Sequence, residues 1–330
     1  MAAEWLYEAG IAEERAILTS HGQILSARIC WGERVRTGLV AQAQLVRRHQ
    51  GSRRGLVRLG DGHEALIDQL PREATEGARL MVRIVRAAIA EKGRTKLPVA
   101  RPAPGELPRP APTLREEIEA SGAALRALPV TSPEFAEHGW DELVEQARSG
   151  EIAFAGGSII ISPTPAMTLI DVDGALPPLK LALCAAPAIA DALHRLDIGG
   201  SVGIDFPTLA ERKDRQQVDR TLADALIDWQ GERTAMNGFG FVQLVSRLER
   251  PSLLARFARH PAAAAARILL RQAERTGGAG AILLTAHPRV LDAIDPAWEA
   301  ELARRTGRPI RRQADAGLAL GGGFAQAIAP

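Results

Sequence analysis

Three aspartates, Asp171, Asp173 and Asp205, stand where a buried sheet would carry Val or Ile. The stretch "GGSIIISPTPAMTLIDVDG" (156–174) holds two short apolar runs, 158–162 and 166–170, spaced as neighbouring strands of a hairpin around 163–165. Asp171 and Asp173 close the second run. Further on, "IGGSVGIDF" (198–206) repeats the pattern with Asp205, and "LALCAAPAIADALHRL" between them reads as a helix, so the spacing predicts a β–α–β arrangement. Alternate residues of a strand share a face, so Asp171 and Asp173 project together. Crowded carboxylates repel, and a proton or a hard divalent cation relieves them. Magnesium suits such a site because it takes one or two carboxylates, keeps most of its waters and binds substrate phosphate. A metal so placed activates water and stabilises charge building on a phosphodiester. The plainer reading is that Asp at a strand end is a turn residue, and Asp173 with Gly174 is a good turn dipeptide. Spacing alone leaves both open. His194 reads as a solvated or core residue rather than a base, and turn geometry explains the glycine pairs at 156–157 and 199–200.

The elements that must position these groups span a chain of 330 residues, enough for several compact units. "EERAILTSHGQILSARICW" reads as a hairpin turning at Gly22. From about Val35 to Ile89, five short apolar runs divided by "HQGSRR" and "GDGH" fit a small barrel of the OB type. "LPVARPAPGELPRPAPT" reads as extended linker. Residues 113–150 read as two helices, the first starting from Thr113 with Glu116 as a capping box and the second stopping at Gly150. A long amphipathic helix is expected over 208–230, with Val218, Leu222, Ala225 and Leu226 on one face, followed by a strand in "GFGFVQLVSRLERPSLL". From 253 the tail alternates helix and strand as a small α/β unit of its own.

Composition excludes more than it assigns. An apolar fraction of 46% and a charged fraction of 24% are ordinary for a soluble protein. No stretch reaches the uninterrupted apolar length of a membrane helix, and "MAAEWLYEAG" has no basic-then-apolar leader pattern. Two cysteines, Cys30 and Cys184, are too few for a disulfide framework or a zinc cluster, which makes a reducing cytoplasm the expected compartment. The net charge of +2 announces no nucleic-acid protein. The basic set is four Lys and 37 Arg, and Arg is the better fork for phosphate, but a GC-rich genome also accounts for that bias.

At these residues the chain resembles the ribonuclease E/G family of bacterial endoribonucleases, through an ordered series rather than one motif. "GGSIIISPTPAMTLIDVDG" is similar to the family's strand pair ending in Ile-Asp-[Ile/Val]-Asn. "LHRLDIGGSVGIDF" is similar to its Arg-rich helix end, Gly-Gly and second catalytic Ile-Asp-Phe. "VDRTLADAL" and "GFGFVQLVSRLER" fall where the family has a long helix and a Gly-Leu-x-Glu-Met-x-Arg-x-Arg strand. "EERAILTSHGQILSARI" and "EKGRTKLPVARP" keep the family's order upstream. The resemblance is specific over about 151–252 and looser over 1–100 and 285–330.

The resemblance implies an α/β, multidomain protein. Residues 1–34 and 113–150 would form an RNase H-like subdomain, 35–100 an inserted OB-type RNA-binding barrel and 101–112 a Pro-rich linker. Residues 151–252 would form a DNase I-like catalytic subdomain, and 253–330 a small C-terminal α/β domain. Asp171 and Asp205 would hold one catalytic Mg2+, with Asp173 at the neighbouring Asn position. Water would attack the phosphodiester of single-stranded RNA and leave a five-prime phosphate. Beyond the resemblance, Arg247, Arg250, Arg53 and Arg54 are expected RNA contacts, with solvated surface arginines an equal reading of Arg247 and Arg250.

Departures from the pattern carry weight. The family's Cys-Pro-x-Cys zinc link is absent after "SRLERPSLL", so no zinc is expected and any homo-oligomer would form without it. The Arg-Thr motif of the five-prime sensor is absent as well. Leu56, Leu59 and Leu66 stand where the barrel usually shows Phe or Tyr, and Ala182 and Cys184 replace an Asn and a Glu. The expectation is a sensor-less, Mg2+-dependent endoribonuclease acting in the cytoplasm; the alternative is a catalytically silent RNA-binding protein of the same fold.

Overall fold

The turn expected at "SHGQ" forms with His21 and Gly22 both at positive φ, the twist that lets a two-residue turn join antiparallel strands. In the computed structural model, which describes residues 3–91 and 93–329, that turn joins the second and third strands of a meander. Its strands are β1 (Glu4–Gly10), β2 (Glu13–Ser20) and β3 (Gln23–Cys30). The chain divides into two compact units, one built from 1–32, 114–144 and 256–330 and the other from 33–113 and 145–255.

The barrel occupies the start of the second unit. Its strands are β4 (Val40–Arg48), β5 (Gly55–Leu59), β6 (Glu64–Ile67) and β7 (Arg79–Arg86), and, after a small hairpin of β8 (Ile89–Glu91) and β9 (Arg94–Lys96), β10 (Val99–Pro102). They close in the order β10-β6-β5-β4-β7, with β6 and β10 parallel and the other pairs antiparallel. That is an OB-type barrel. Alternation fills it with Leu45, Val57, Leu59, Ile67, Val82 and Ile84. The last strand runs to Pro102, so the expected linker begins inside the barrel. The rest of the Pro-rich segment is bound to it: Val40 and Arg109 exchange backbone hydrogen bonds, and Glu106 pairs with Arg83.

The chain then returns to the first unit with α1 (Leu114–Ala120), whose leading N–H donates to the Glu14 carboxylate at 2.9 Å. The helix expected to continue instead gives way to β11 (Leu125–Leu128), which pairs in parallel with β1. An open strand edge accepts backbone hydrogen bonds whatever the helix propensity of "LRAL". The sheet order is β11-β1-β2-β3. Next come α2 (Glu134–Glu137) and α3 (Trp140–Ser149), separated at Gly139, and Gly150 ends the second as expected.

A six-stranded sheet completes the second unit. It contains β12 (Glu151–Phe154), β13 (Gly157–Pro163), β14 (Thr168–Gly174), α4 (Pro178–Arg195), β15 (Ser201–Asp205), α5 (Arg212–Ala225), β16 (Gly231–Arg233) and β17 (Phe241–Ser246). The order is β12-β13-β14-β15-β17-β16, and β14 and β15 are parallel across α4. The expected β–α–β unit is therefore present, whereas α5 is shorter than the 208–230 expected. Leu181, Ala185 and Ile189 of α4 are buried, as are Ile159, Ile170, Val172, Val202 and Ile204 of the sheet. The barrel and this sheet meet at polar points: Thr37 Oγ1 and the Ala87 N–H both donate to the Glu249 carbonyl, and Lys96 Nζ donates to the Pro165 carbonyl at 2.9 Å.

The tail consists of α6 (Leu253–Arg259), α7 (Pro261–Glu274), β18 (Ala281–Ala286), α8 (Pro288–Asp292), α9 (Pro296–Thr306), β19 (Ile310–Ala314) and β20 (Phe324–Ile328). The sequence suggests a separate domain from 253; residues 256–330 instead share one unit with the N-terminal sheet. An apolar cluster that joins Ile11 to Leu269, Leu270 and Ile282 contributes to this, and so does buried charge. Arg271 of α7 pairs with Glu8 and, at 2.9 Å, with Glu13, while Arg15 pairs with Glu8 at 3.0 Å. Arg15 lies over Phe135, and Arg267 lies between Trp31 and Trp298. Burial pushes the Arg15 and Arg271 guanidiniums down to about 10. It pushes the Glu13 carboxyl up.

Glu8 is the carboxylate both guanidiniums share. Breaking a buried pair by removing one partner typically costs about 3–5 kcal/mol. Glu8→Ala is expected to lower unfolding free energy by that amount in urea titrations. A midpoint unchanged from the parent would show that the network contributes nothing.

Candidate functional site

The strand register puts Asp171 opposite Asp205 at the carboxyl ends of β14 and β15. Paired residues of parallel strands share a face, and neighbouring strands lie about 4.8 Å apart, so the two carboxylates stand side by side. Ile170 and Ile204, one residue earlier, are buried on the opposite face, while both aspartates are exposed. Asp173 shares the face of Asp171 but lies beyond the last β15 pairing, across from Ser158 of β13. Asp171 and Asp173 each accept a hydrogen bond at one oxygen from the next backbone N–H, at 3.0 and 2.8 Å. Among the described residues no basic side chain pairs with any of the three.

Ligands of open α/β sheets bind outside the carboxyl ends of parallel strands. Here that end is flanked by the starts of α4 and α5, neither of which has a side-chain cap. Uncapped N–H groups and the helix dipole favour an anion at such positions. Lys180 lies in the first turn of α4 and Arg212 and Lys213 in that of α5, all exposed. Two of the chain's four lysines are therefore at this end of the sheet. Arg215 donates to the Leu209 and Ala210 carbonyls and so ties down the loop after Asp205. Gly203 leaves room on the carboxylate face for the Phe241 ring and the Met167 sulfur: a Cβ there would stand 2.5 Å from Phe241 Cζ and 3.0 Å from Met167 Sδ.

The arginines chosen from sequence sit elsewhere. β17 runs antiparallel to β15, so Arg247 comes after its far end, about 13 Å or more along the strands from Asp205. Arg250 is held by Asp197 at 3.6 Å and Glu249 at 3.5 Å. Arg53 donates to the Leu70 and Gln69 carbonyls, and Arg54 pairs with Asp68 at 2.9 Å. On the β5–β6 face Leu56 pairs with an exposed Leu66 and Arg58 with Glu64, whereas Leu59 points into the barrel core. Ala182 is fully buried under the sheet. In the sequence, Lys180, Arg212 and Lys213 are marked by their place just after the acidic strands.

Two hard, exposed oxygen donors side by side fit magnesium, which needs only one or two carboxylates and fills the rest of its octahedron with water and phosphate. Among the described residues, no group of three or more His, Cys, Asp or Glu could hold a metal ion, so the site offers a carboxylate pair rather than an all-protein cage.

The molecule is thus an α/β protein that joins an OB-type barrel to a sheet with paired carboxylates at its parallel strand ends. Comparison with known proteins finds a family match over part of the chain. Residues 113–246 match the Ribonuclease E/G family, and that segment contains both acidic strands. The chain is similar to Ribonuclease E of Haemophilus influenzae, with 29% identity over 133 residues; the match takes in 37% of this chain and spans 14% of that protein's length. No helix among the described residues is long and apolar enough to cross a membrane.

Like charges side by side on neighbouring strands destabilise a sheet. Asp205→Asn is therefore expected to melt slightly higher than the parent in EDTA. Added Mg2+ should raise the melting temperature of the parent and leave that of the variant unmoved. Equal Mg2+ shifts in both proteins would remove Asp205 from the ion's ligands.

Proposed function

We propose that this protein is a Mg2+-dependent endoribonuclease that hydrolyses single-stranded RNA, with Asp171 and Asp205 as its metal-holding carboxylates. The observation that carries the reading is their side-by-side register at the carboxyl ends of β14 and β15, within the segment that matches the Ribonuclease E/G family. The finer fold assignments belong to the same reading: an RNase H-like arrangement for the β11-β1-β2-β3 sheet, a DNase I-like one for the six-stranded sheet, and a cytoplasmic setting.

The chain's own residues divide the work by position. Asp171 and Asp205 present one free edge of carboxylate oxygens each toward solvent. When bound there, Mg2+ supplies charge neutralisation on the phosphodiester and lowers the pKa of water. Asp173 adds negative charge beside the pair and would strengthen the attraction for a cation there. The uncapped starts of α4 and α5, with Lys180 and Lys213, bind the phosphates on either side of the scissile one. Water adds across the phosphorus–O3′ bond, leaving a 3′-hydroxyl and a 5′-phosphate. The barrel holds the strand, and its β5–β6 face, with leucines and self-neutralised arginines, contributes little stacking or charge.

A catalytically silent RNA-binding protein of the same fold is the second reading, favoured by the burial of Ala182 in the helix between the acidic strands. The two part on one experiment. A labelled single-stranded RNA is incubated with the protein, with and without Mg2+, beside an Asp171→Asn, Asp205→Asn double variant. Internal cuts that need the ion and fall to background in the variant are expected. RNA bound but left intact by both proteins would replace the nuclease with the silent binder.

Lys213→Ala and Lys180→Ala should each weaken RNA binding across sequences and lower the slope of log affinity against log salt by about one. An unaltered slope would take these lysines out of phosphate contact.

A further inference from the structure

A protein with few aromatic residues, 4% of the chain, exposes one of them at the acidic end of its central sheet. Phe239 is 81% exposed, and among the described residues the only other aromatic in the exposed large apolar set is Phe324, at 44%. It lies in the turn "NGFG" that leads into β17. Phe241, two residues on, is the register partner of Asp205. The Phe206 N–H, next in chain after Asp205, donates to the Gly240 carbonyl at 3.2 Å, which fixes the turn beside that carboxylate.

The turn is held from within. Asn237 Oδ1 accepts from the Phe239 N–H at 2.9 Å and the Phe241 N–H at 3.0 Å, and the Asn237 N–H donates to the Phe241 carbonyl at 3.1 Å. Gly240 has a φ of +88°, and a Cβ there would stand 2.7 Å from the Phe206 carbonyl oxygen, so only glycine allows this approach. An apolar ring kept in water on a braced turn loses the favourable burial open to it elsewhere. Nothing in the packing of the turn requires it. Meanwhile the barrel face that would ordinarily stack bases carries Leu56 and Leu66.

We infer that Phe239 is a nucleobase-stacking residue, holding a base next to the scissile phosphate of single-stranded RNA at the Asp171/Asp205 site. This rests on the endoribonuclease reading for the site and adds where the strand is gripped. Stacking needs a π-face and no hydrogen-bond pattern, so the contact tolerates any base and sets the position of the cut rather than its sequence.

The test separates binding from cleavage. Fluorescence anisotropy in EDTA measures a short labelled single-stranded RNA on the full chain, for the parent, Phe239→Ala, Phe239→Leu and Phe239→Trp. A stacked base is typically worth enough that Phe239→Ala and Phe239→Leu should weaken binding roughly 5- to 150-fold, while Phe239→Trp retains it. An abasic nucleotide moved along the RNA should weaken binding to the parent at one position and have little further effect there on Phe239→Ala. In Mg2+ the same loss should appear in KM with kcat little changed. Binding by Phe239→Ala within about twofold of the parent, or an abasic effect undiminished in that variant, overturns the assignment. RNA held through Phe239 but never cleaved would retain the stacking residue and sink the nuclease. Cleavage that needs Asp205 but ignores Phe239 would do the reverse.

Discussion

The parallel pairing of β14 with β15 is the constraint that produces the site. Two parallel strands need a crossover, here α4, and the crossover covers one face of the sheet. The alternation of each strand then sends Ile170 and Ile204 under the helix and the aspartates to the uncovered face. A slip of one residue in either strand would bury a carboxylate beneath α4 and expose an isoleucine in its place. Burial of the isoleucines and presentation of the acids are therefore one fact. The crossover helix α4 and the next helix, α5, both begin at the end where the acids stand.

The barrel and the sheet belong to one compact unit, and the hydrogen bonds between them end on backbone carbonyls of the sheet. The Glu249 carbonyl, just past β17, takes hydrogen bonds from Thr37 and Ala87, and Lys96 reaches the turn at Pro165. Contacts of this kind depend little on side-chain identity at 249 or 165. The barrel's outer residues can thus drift, as the leucines of β5 and β6 suggest, without loosening its hold on the sheet. The arginines of that region are spent on carbonyls and carboxylates of the barrel itself.

Much of this was legible from residue order. The hairpin over 158–170 and the crossover to 205 could be read because strand alternation, a helix-length apolar run and Gly or Pro punctuation agree there. The features that escaped did so for identifiable causes. β11 reads as helix because its residues favour one; only the open edge of β1, far off in sequence, makes it a strand. Arg247 and Arg250, expected to contact RNA, follow β17, whose antiparallel direction sets them at the end of the sheet away from the acids. Leu56 and Leu59, three apart on one strand, must face opposite sides, so that distinction was available from spacing. The kinship of the tail with the N-terminal sheet depends on Glu8, Glu13 and Arg271, whose pairing no local pattern announces. Phe239 lies within "GFGFVQLVSRLER", yet exposure is not written in a single letter.

The carboxylates Glu8 and Glu13 have a consequence for how the chain is made. During synthesis they emerge on the first two strands of a meander whose cationic partner, Arg271, appears more than two hundred residues later. The barrel and the acidic sheet, complete by residue 255, can mature on the ribosome while the first strands wait. Until Arg271 appears, Glu8 has Arg15 but not its second guanidinium and Glu13 lacks its ion pair, and burying charge without its full set of counterions is unfavourable. The latest part of the chain to appear is thus the part that closes the earliest, and a message truncated before α7 would yield a finished barrel and acidic sheet attached to an unfinished beginning.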